Sequence, residues 1–156
     1  MNQEKSHLPP RRIRPVALCV IWRAGQILVA ENIESDGQVF YRPLGGTIEF
    51  GEHSHDTVKR EMLEEIKADI THIEYLGTIE TIFLYQGQTG HEIMQIYQAE
   101  FIDRNFYKQN EINGSELPDG NLPIKAIWKS LDEFQGQNSL ILVPDGLLDM
   151  LTNSKH

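Results

Sequence analysis

Residues 45–68 read GGTIEFGEHSHDTVKREMLEEIKA, a double glycine followed by a short acidic loop and a helical pattern. Glu61, Glu64 and Glu65 are three and four residues apart, and on a helix of about 3.6 residues per turn this spacing places their carboxylates on one face. Like charges on one face repel each other unless a cation lies among them. Oxygen ligands with no cysteine nearby suit Mg²⁺ or Mn²⁺ better than zinc. The stretch therefore predicts a divalent metal site.

The opposite face of the same helix is apolar. Val58, Met62 and Ile66 recur every four residues, which predicts that this face packs on a sheet. Ser54 is a residue type that favours the N-cap position, and Asp56 follows in the first turn, where a negative charge is stabilising. We therefore expect a helix that starts near Ser54 and ends near residue 66.

The stretch resembles the signature of the Nudix hydrolase family, which is Gly, five residues, Glu, seven residues, then Arg-Glu-apolar-x-Glu-Glu-x-Gly-apolar. The positions that match it in register are Gly46, Glu52, Arg60, Glu61, Met62, Glu64, Glu65 and Ala68. The family glycine near the end is replaced by Lys67, where the helix is expected to end and a left-handed backbone favours glycine. We expect a small loss of stability from this lysine, about 1 kcal/mol if that geometry is kept, and no loss of chemistry.

The resemblance implies an α/β/α sandwich with a mixed β-sheet. It also implies a pyrophosphohydrolase that cleaves a nucleoside diphosphate linked to another moiety, through attack of water on phosphorus. Divalent ions neutralise the diphosphate and activate water in such reactions. By resemblance, Glu61, Glu64, Glu65 and the backbone carbonyl of Gly45 are ligands of Mg²⁺ or Mn²⁺, and one of the glutamates deprotonates or orients the water.

The resemblance gives Arg60 and Glu52 supporting roles in catalysis. Arg60 is expected to orient a glutamate by a charge-assisted hydrogen bond, and Glu52 to support the metal site through water or through Arg60. The opposing interpretation of the whole cluster is a solvated acidic helix face, which does not explain its register with the glycine loop.

Substrate-binding candidates lie around the glycines. Arg42 is placed to pair with a phosphate, or else with surface carboxylates. Gly46 suits a tight turn that brings the backbone close to a ligand. Tyr41 is a candidate for stacking on a nucleobase, as are Phe40, Phe83 and Tyr85, although aromatic residues in strands more often belong to a core.

Members of the family often recruit an acidic residue from a later loop. The acidic residues in the right half of the chain are Glu92, Glu100, Glu111, Glu116 and Asp119. Glu92 is the preferred candidate, as a substrate-binding residue, because it opens a predicted strand next to a hairpin, and the alternative is an ordinary exposed strand end. His53 and His55 flank the helix start, where we expect solvated side chains rather than a base or a ligand.

Little in the sequence points to one substrate. Members that act on ADP-ribose tend to have a proline about sixteen residues beyond the signature, where this chain has Ile82 to Tyr85, and the coenzyme A-directed signature is absent. Tyr85 falls close to a tyrosine of dinucleoside polyphosphate enzymes. A nucleotide-pool or dinucleoside polyphosphate housekeeping activity is one form the function can take. The alternatives are a non-catalytic Nudix-fold module that senses a nucleotide and a purely structural acidic domain.

Composition limits the remaining classes. The 156 residues carry a formal net charge of −9 and a single cysteine, Cys19. The charge argues against long nucleic acid as a partner but not against a small nucleotide, because bound divalent ions reverse the local sign. A buried thiol, no signal-peptide pattern and no membrane-spanning run favour a cytoplasmic protein. Homodimerisation is common in the family and is a further expectation.

The chain is expected to form a polar tail, residues 1–12, and a single domain, residues 13–153. Predicted strands cover residues 15–22, 26–30, 39–42, 70–75, 78–85, 92–101 and 124–131, with a short extended piece at 47–50, hairpin connections at 23–25 and 86–90, a long polar loop at 103–123 and a final helix at 144–151. Strand runs interleaved with two helices predict a mixed sheet with helices on both faces.

Overall fold

The computed structural model describes residues 9, 11–116 and 122–153. Within these ranges the strands are β1 Ile13–Arg23, β2 Gln26–Ile33, β3 Val39–Arg42, β4 Leu44–Thr47, β5 Ile70–Tyr85, β6 Gln88–Phe101, β7 Glu111–Ser115 and β8 Pro123–Ser130. The helices are α1 Ser54–Ile66 and α2 Leu147–Asn153, with short 3-10 helices at Arg104–Lys108 and Leu131–Phe134. Most of the expected tail and the candidate Asp119 lie outside the described residues.

The strands form one mixed sheet in the order β5-β6-β1-β2-β8-β7, with β4 paired to β1 and β3 paired to β2. Strands β1 and β6 are parallel, whereas the other strand pairs are antiparallel. Strands β1 and β2 pair with each other only next to their connecting turn, through Trp22 with Ile27 and Arg23 with Gln26. Farther along, β1 pairs with β4 and β2 with β3, so the double glycine lies where the two halves of the sheet separate.

Side chains alternate between two apolar layers, one on each side of the sheet. Odd-numbered residues of β1 pack with the apolar face of α1, in a cluster that includes Ala17, Cys19, Ile21, Val58, Met62 and Ile66. Even-numbered residues pack with α2, in a cluster that includes Val16, Leu18, Val20, Leu147 and Leu151. Full burial of a Val, Leu, Ile or Met side chain contributes about 1.5–3 kcal/mol. The predictions of a mixed sheet, of helices on both faces and of an apolar face on α1 are confirmed.

The ends of α1 explain its length. His53, not Ser54, is the N-cap residue, so the predicted cap is wrong by one position. The Ser54 hydroxyl is instead 2.6 Å from the Tyr97 hydroxyl. At the other end Lys67 has φ 60° and ψ 35°, the left-handed conformation expected for the family glycine. Lysine therefore keeps the glycine geometry, and we assign it a cost of about 1 kcal/mol.

Strand β5 corrects two predictions. The expected strands at 70–75 and 78–85 are one strand, and a register shift against β6 between Tyr75 and Gly77 falls where a break was predicted. The expected five-residue connection at 86–90 is a two-residue turn in which Gln86 has φ 49° and Gly87 has φ 78°. Such turns need positive φ at both central residues, and a glutamine there gives no signal in the sequence.

The predicted long loop at 103–123 is also wrong over most of its described part. It contains a 3-10 helix, Arg104–Lys108, and strand β7. Phe106 and Tyr107 pack against the α1-side core, and the Trp128 indole N–H donates to the Gln109 carbonyl oxygen at 2.8 Å. These aromatic anchors order a segment whose composition is polar. The extended piece expected at 47–50 ends at Thr47, and the final helix begins three residues later than predicted.

Cys19 is buried, and burial raises the pKa of its thiol to about 12. The expected buried thiol is confirmed. Among the described residues, no helix is both long and apolar enough to cross a membrane.

Candidate active site

Arg60 joins three of the predicted acidic residues. Its Nε lies 2.8 Å from Glu52 Oε2 and its Nη2 lies 3.0 Å from Glu52 Oε1. The Nη1 nitrogen donates to Glu61 Oε1 at 2.9 Å and to Glu64 Oε2 at 3.2 Å. Nη2 also donates to the Thr47 carbonyl oxygen at 3.1 Å, which ties the guanidinium to β4. One planar group is thus fixed between the acidic loop and the carboxylates of α1.

Glu52 is held on both oxygens. Besides Arg60, its Oε1 accepts a hydrogen bond from the Thr57 hydroxyl at 2.7 Å and from the Glu49 N–H at 3.3 Å. The hydrogen bonds from Arg60 lower the pKa of Glu52 to about 2, with Thr57 and the Glu49 N–H acting in the same direction. The sequence reasoning missed Thr57, for which the only signal is a threonine in the first turn of α1.

Glu61 and Glu65 form a largely buried pair of carboxyl groups, since Glu65 is 4% exposed and the side chain of Glu61 is 15% exposed. Desolvation raises the pKa of Glu65, and the charge of Glu61 raises it further. Desolvation also raises the pKa of Glu61, by more than the charge and the hydrogen bond of Arg60 lower it. Glu65 Oε1 accepts the Gly45 N–H at 3.2 Å. A Cβ on Gly46 would lie 2.5 Å from Glu61 Oε1, so glycine leaves room for this carboxyl group where Arg60 holds it.

This pair fits a divalent metal ion. Two adjacent, largely buried carboxyl groups repel each other when both are ionised, and a divalent ion that binds their oxygen atoms removes that repulsion. Glu64 is more peripheral, with 59% of its side chain exposed. Within the described ranges, no three acidic, histidine or cysteine side chains lie close enough together to hold a metal ion. Glu61 and Glu64 instead contact Arg60.

Arg42 and Glu116 are close enough to Glu65 for their charges to act on its carboxyl group. The charge of Arg42 lowers the pKa of Glu65, and the charge of Glu116 raises it. Gly114 lets strand β7 approach α1 closely, because a Cβ at this position would lie 2.0 Å from the Glu65 carbonyl oxygen. The structure therefore brings Glu116, rather than the preferred Glu92, near the buried carboxyl pair.

Glu92 lies on the other face of the sheet. It has the same parity as Met94 and Ile96, which pack on the α2 side. Its Oε2 lies 3.2 Å from Arg14 Nε in an ion pair between neighbouring parallel strands. The expected strand end is wrong, because Glu92 is four residues inside β6 and buried.

Tyr41 also packs on the α2 side. Its hydroxyl donates to Glu31 Oε2 at 3.2 Å, and its ring meets Phe134 edge-on at 6.0 Å between centroids. Tyr85 pairs with Gln88 at the tip of the β5–β6 hairpin. Strand pairing aligns Gln95 of β6 with Ala17 of β1, and Ala17 with Gly46 of β4. Gln95 is seven residues from Gln88, which is about 23 Å along the strand. The structure brings neither tyrosine to the carboxyl pair.

A comparison with known families identifies the family of this chain. The NUDIX domain family model matches residues 12–141. This chain belongs to the Nudix family. The NAD-capped RNA hydrolase NudC of Pasteurella multocida is 30% identical over 137 residues, which cover 83% of this chain and 51% of that protein. The protein of the same name from Pseudomonas aeruginosa is 27% identical over 121 residues, or 78% of this chain and 37% of that protein.

Solved structures share the architecture. A NUDIX hydrolase from Nitrosomonas europaea has a TM-score of 0.64 at 19% identity, covering 93% of this chain and 92% of that one. A MutT NUDIX hydrolase from Burkholderia pseudomallei has a TM-score of 0.61 at 20% identity, covering 90% and 97%. The predicted family and fold class are confirmed. The chain spans about half or less of the length of the NudC relatives described above.

Proposed function

We propose that this protein is a divalent-metal-dependent pyrophosphohydrolase that cleaves a nucleoside diphosphate linked to another moiety by attack of water on phosphorus. The observation that supports the proposal most is the largely buried Glu61–Glu65 pair beside Gly45 and Gly46, in a chain that belongs to the Nudix family. An acidic helix face with no ligand would leave its carboxyl groups in water, whereas Glu65 is 4% exposed and the side chain of Glu61 is 15% exposed.

Each residue of the cluster has a chemical task in this proposal. Glu61 and Glu65 hold the divalent ion, and Glu64 and the Gly45 carbonyl are the further ligands expected. When bound, Mg²⁺ or Mn²⁺ supplies charge neutralisation and a water of lowered pKa. Arg60 orients Glu61 and Glu64, and Glu52 holds Arg60.

The neighbouring groups bear on the substrate. Arg42 presents a guanidinium on the same side of the sheet as Glu65, and such a group binds phosphate oxygens in a two-point geometry. Glu116 places a further carboxylate near the pair, as either a metal ligand or a group that orients water.

The comparisons add one substrate class. The named relatives are NAD-capped RNA hydrolases, so a short NAD-capped oligonucleotide belongs beside small nucleotides in any substrate panel. The net charge of −9 favours the small nucleotide. The distance of Tyr85 from the carboxyl pair removes the support that this residue gave to dinucleoside polyphosphates.

The test is product release from a panel of nucleoside triphosphates, ADP-ribose, NAD, dinucleoside polyphosphates and a NAD-capped oligonucleotide, with Mg²⁺ or Mn²⁺. We expect turnover that chelator abolishes and that Glu65→Gln lowers about 100-fold or more. Glu100→Gln, at an exposed strand position paired with His72, is the matched control and keeps wild-type turnover. No turnover of any substrate in the panel, together with a nucleotide that still raises the melting temperature, would favour the non-catalytic nucleotide-sensing module instead.

The cellular setting belongs to the same proposal. A single buried thiol supports a reducing, cytoplasmic setting. Homodimerisation stays a prediction, and light scattering on the purified chain measures it directly.

A further inference from the structure

Thr57 is a buried polar residue at a position that the family signature leaves open. Its side chain is 0% exposed, and its hydroxyl lies 2.7 Å from Glu52 Oε1 and 3.3 Å from the His53 carbonyl oxygen. A hydroxyl group carries one hydrogen, and the shorter distance assigns it to the carboxylate. Hydrogen bonds to an ionised acceptor are among the stronger ones in proteins.

The Glu52 carboxylate sets the orientation of Arg60. Its two oxygens bind Nε and Nη2 of the guanidinium, at 2.8 Å and 3.0 Å. The guanidinium is planar and rigid, so this two-point contact also fixes where Nη1 points. Nη1 points at Glu61 and Glu64. A continuous chain of contacts therefore runs from the Thr57 hydroxyl to two of the expected metal ligands.

We propose that Thr57 is a positioning residue that sets the affinity of the site for a divalent cation. The inference rests on the function proposed above, because it takes Glu61 and Glu64 as ligands. With its hydroxyl in place, Glu52 is fixed and holds Arg60 toward the acidic loop. Without it, Glu52 moves more freely, and Arg60 turns further onto Glu61 and Glu64 and competes with the cation. Metal affinity then falls although no ligand atom has been removed.

A purely structural role for Thr57 makes a different prediction. The hydroxyl would then stabilise only the start of α1, where Thr57 also donates its N–H to the His53 carbonyl oxygen at 3.0 Å. Removing it would lower the melting temperature of the metal-free protein and leave the Mn²⁺ dissociation constant unchanged. Metal affinity, measured without substrate, separates the two roles.

The experiment compares Mn²⁺ binding by isothermal titration calorimetry in the wild type, Thr57→Val and Thr57→Ser. Valine keeps the branched shape without the hydroxyl, and serine restores the hydroxyl. We expect Thr57→Val to weaken Mn²⁺ binding about 10–100-fold and Thr57→Ser to bind close to the wild-type value. Thr152→Val is the matched control, because it removes a threonine hydroxyl that donates to the Leu148 carbonyl oxygen at 2.8 Å in α2. It leaves Mn²⁺ affinity unchanged.

Equal Mn²⁺ affinity in Thr57→Val and the wild type overturns the inference, as does a Thr57→Ser variant that binds no better than Thr57→Val. If Thr57→Val does not fold, Thr57→Ala, with its high helix propensity, takes its place and must show the same loss. A wild type that binds no Mn²⁺ contradicts the proposed metal site itself, which is a separate result from a wild type and Thr57→Val that bind equally.

Discussion

Two groups of acidic and arginine side chains lie on opposite faces of the same sheet. On the α2 side, Glu92 pairs with Arg14, one carboxylate with one guanidinium. On the α1 side, Arg60 contacts Glu52, Glu61 and Glu64, and Glu65 adds a fourth carboxyl group through Glu61. The first group is balanced in charge, whereas the second has more carboxyl groups than its arginine neutralises. A structural ion pair needs no ligand, and an unbalanced acidic group is stabilised by a cation.

Activity gives the largest expected difference between the two faces. Glu61→Gln removes one carboxyl group of the buried pair, and we expect turnover to fall about 100-fold or more. Glu92→Gln leaves the α1 side intact and keeps turnover near the wild-type value. Steady-state kinetics on the best substrate of the panel measures both. A Glu92→Gln variant as impaired as Glu61→Gln would restore the substrate-binding role predicted for Glu92 from the sequence.

Stabilisation by metal is the next largest effect. A ligand that binds only the folded state at 100 times its dissociation constant adds about 2.7 kcal/mol of stability. We expect Mn²⁺ to raise the melting temperature of the wild type and of Glu92→Gln, and to have little effect on Glu61→Gln. Scanning calorimetry with and without chelator is the measurement. Equal Mn²⁺ stabilisation of all three proteins would place the metal elsewhere.

Acid stability tests the arginine side of the cluster. Arg60 lowers the pKa of Glu52 to about 2 from 4.5. A lowered pKa in the folded state stabilises the protein above the unfolded value, and this contribution is lost as the pH falls from about 4.5 to about 2. Glu52→Gln should therefore be less stable than the wild type at pH 7, and the gap should close toward pH 2. Urea unfolding across this range measures it, and a gap independent of pH would contradict the assigned pKa.

The smallest expected effect concerns Lys67. Lys67→Gly relieves the left-handed backbone and should raise the free energy of unfolding by up to about 1 kcal/mol, with turnover within about twofold of the wild type. Denaturant unfolding and a kinetic assay suffice. A large gain in turnover would mean that Lys67 affects the chemistry and not only the helix end.

The comparison of the two faces also shows what the sequence could predict. The helical spacing of Glu61, Glu64 and Glu65 determines which residues share a face, so the acidic cluster and the apolar face of α1 were predictable. Glu92 and Tyr41 lie in strands, where a change of one residue reverses the face. Their assignment depends on strand register, which only the assembled sheet provides.

Contacts between distant segments could not be predicted from the local sequence pattern. Glu116 comes near Glu65 only because Gly114 allows β7 to approach α1 closely. The polar composition of residues 103–123 hides the aromatic residues that order its described part. The only local signal for Thr57 was a threonine in the first turn of α1, because its contact depends on the position of Glu52, five residues earlier in a loop.

The most direct test of the metal site is proton release on Mn²⁺ binding at pH 7, from calorimetry in two buffers of different ionisation enthalpy. Burial and the charge of Glu61 raise the pKa of Glu65, so the carboxyl pair should hold a proton that a divalent ion displaces. We predict that the wild type releases close to one proton per ion bound and that Glu65→Gln releases far less. Mn²⁺ binding without proton release, or the same release from Glu65→Gln, would contradict the assignment of this pair as the metal site.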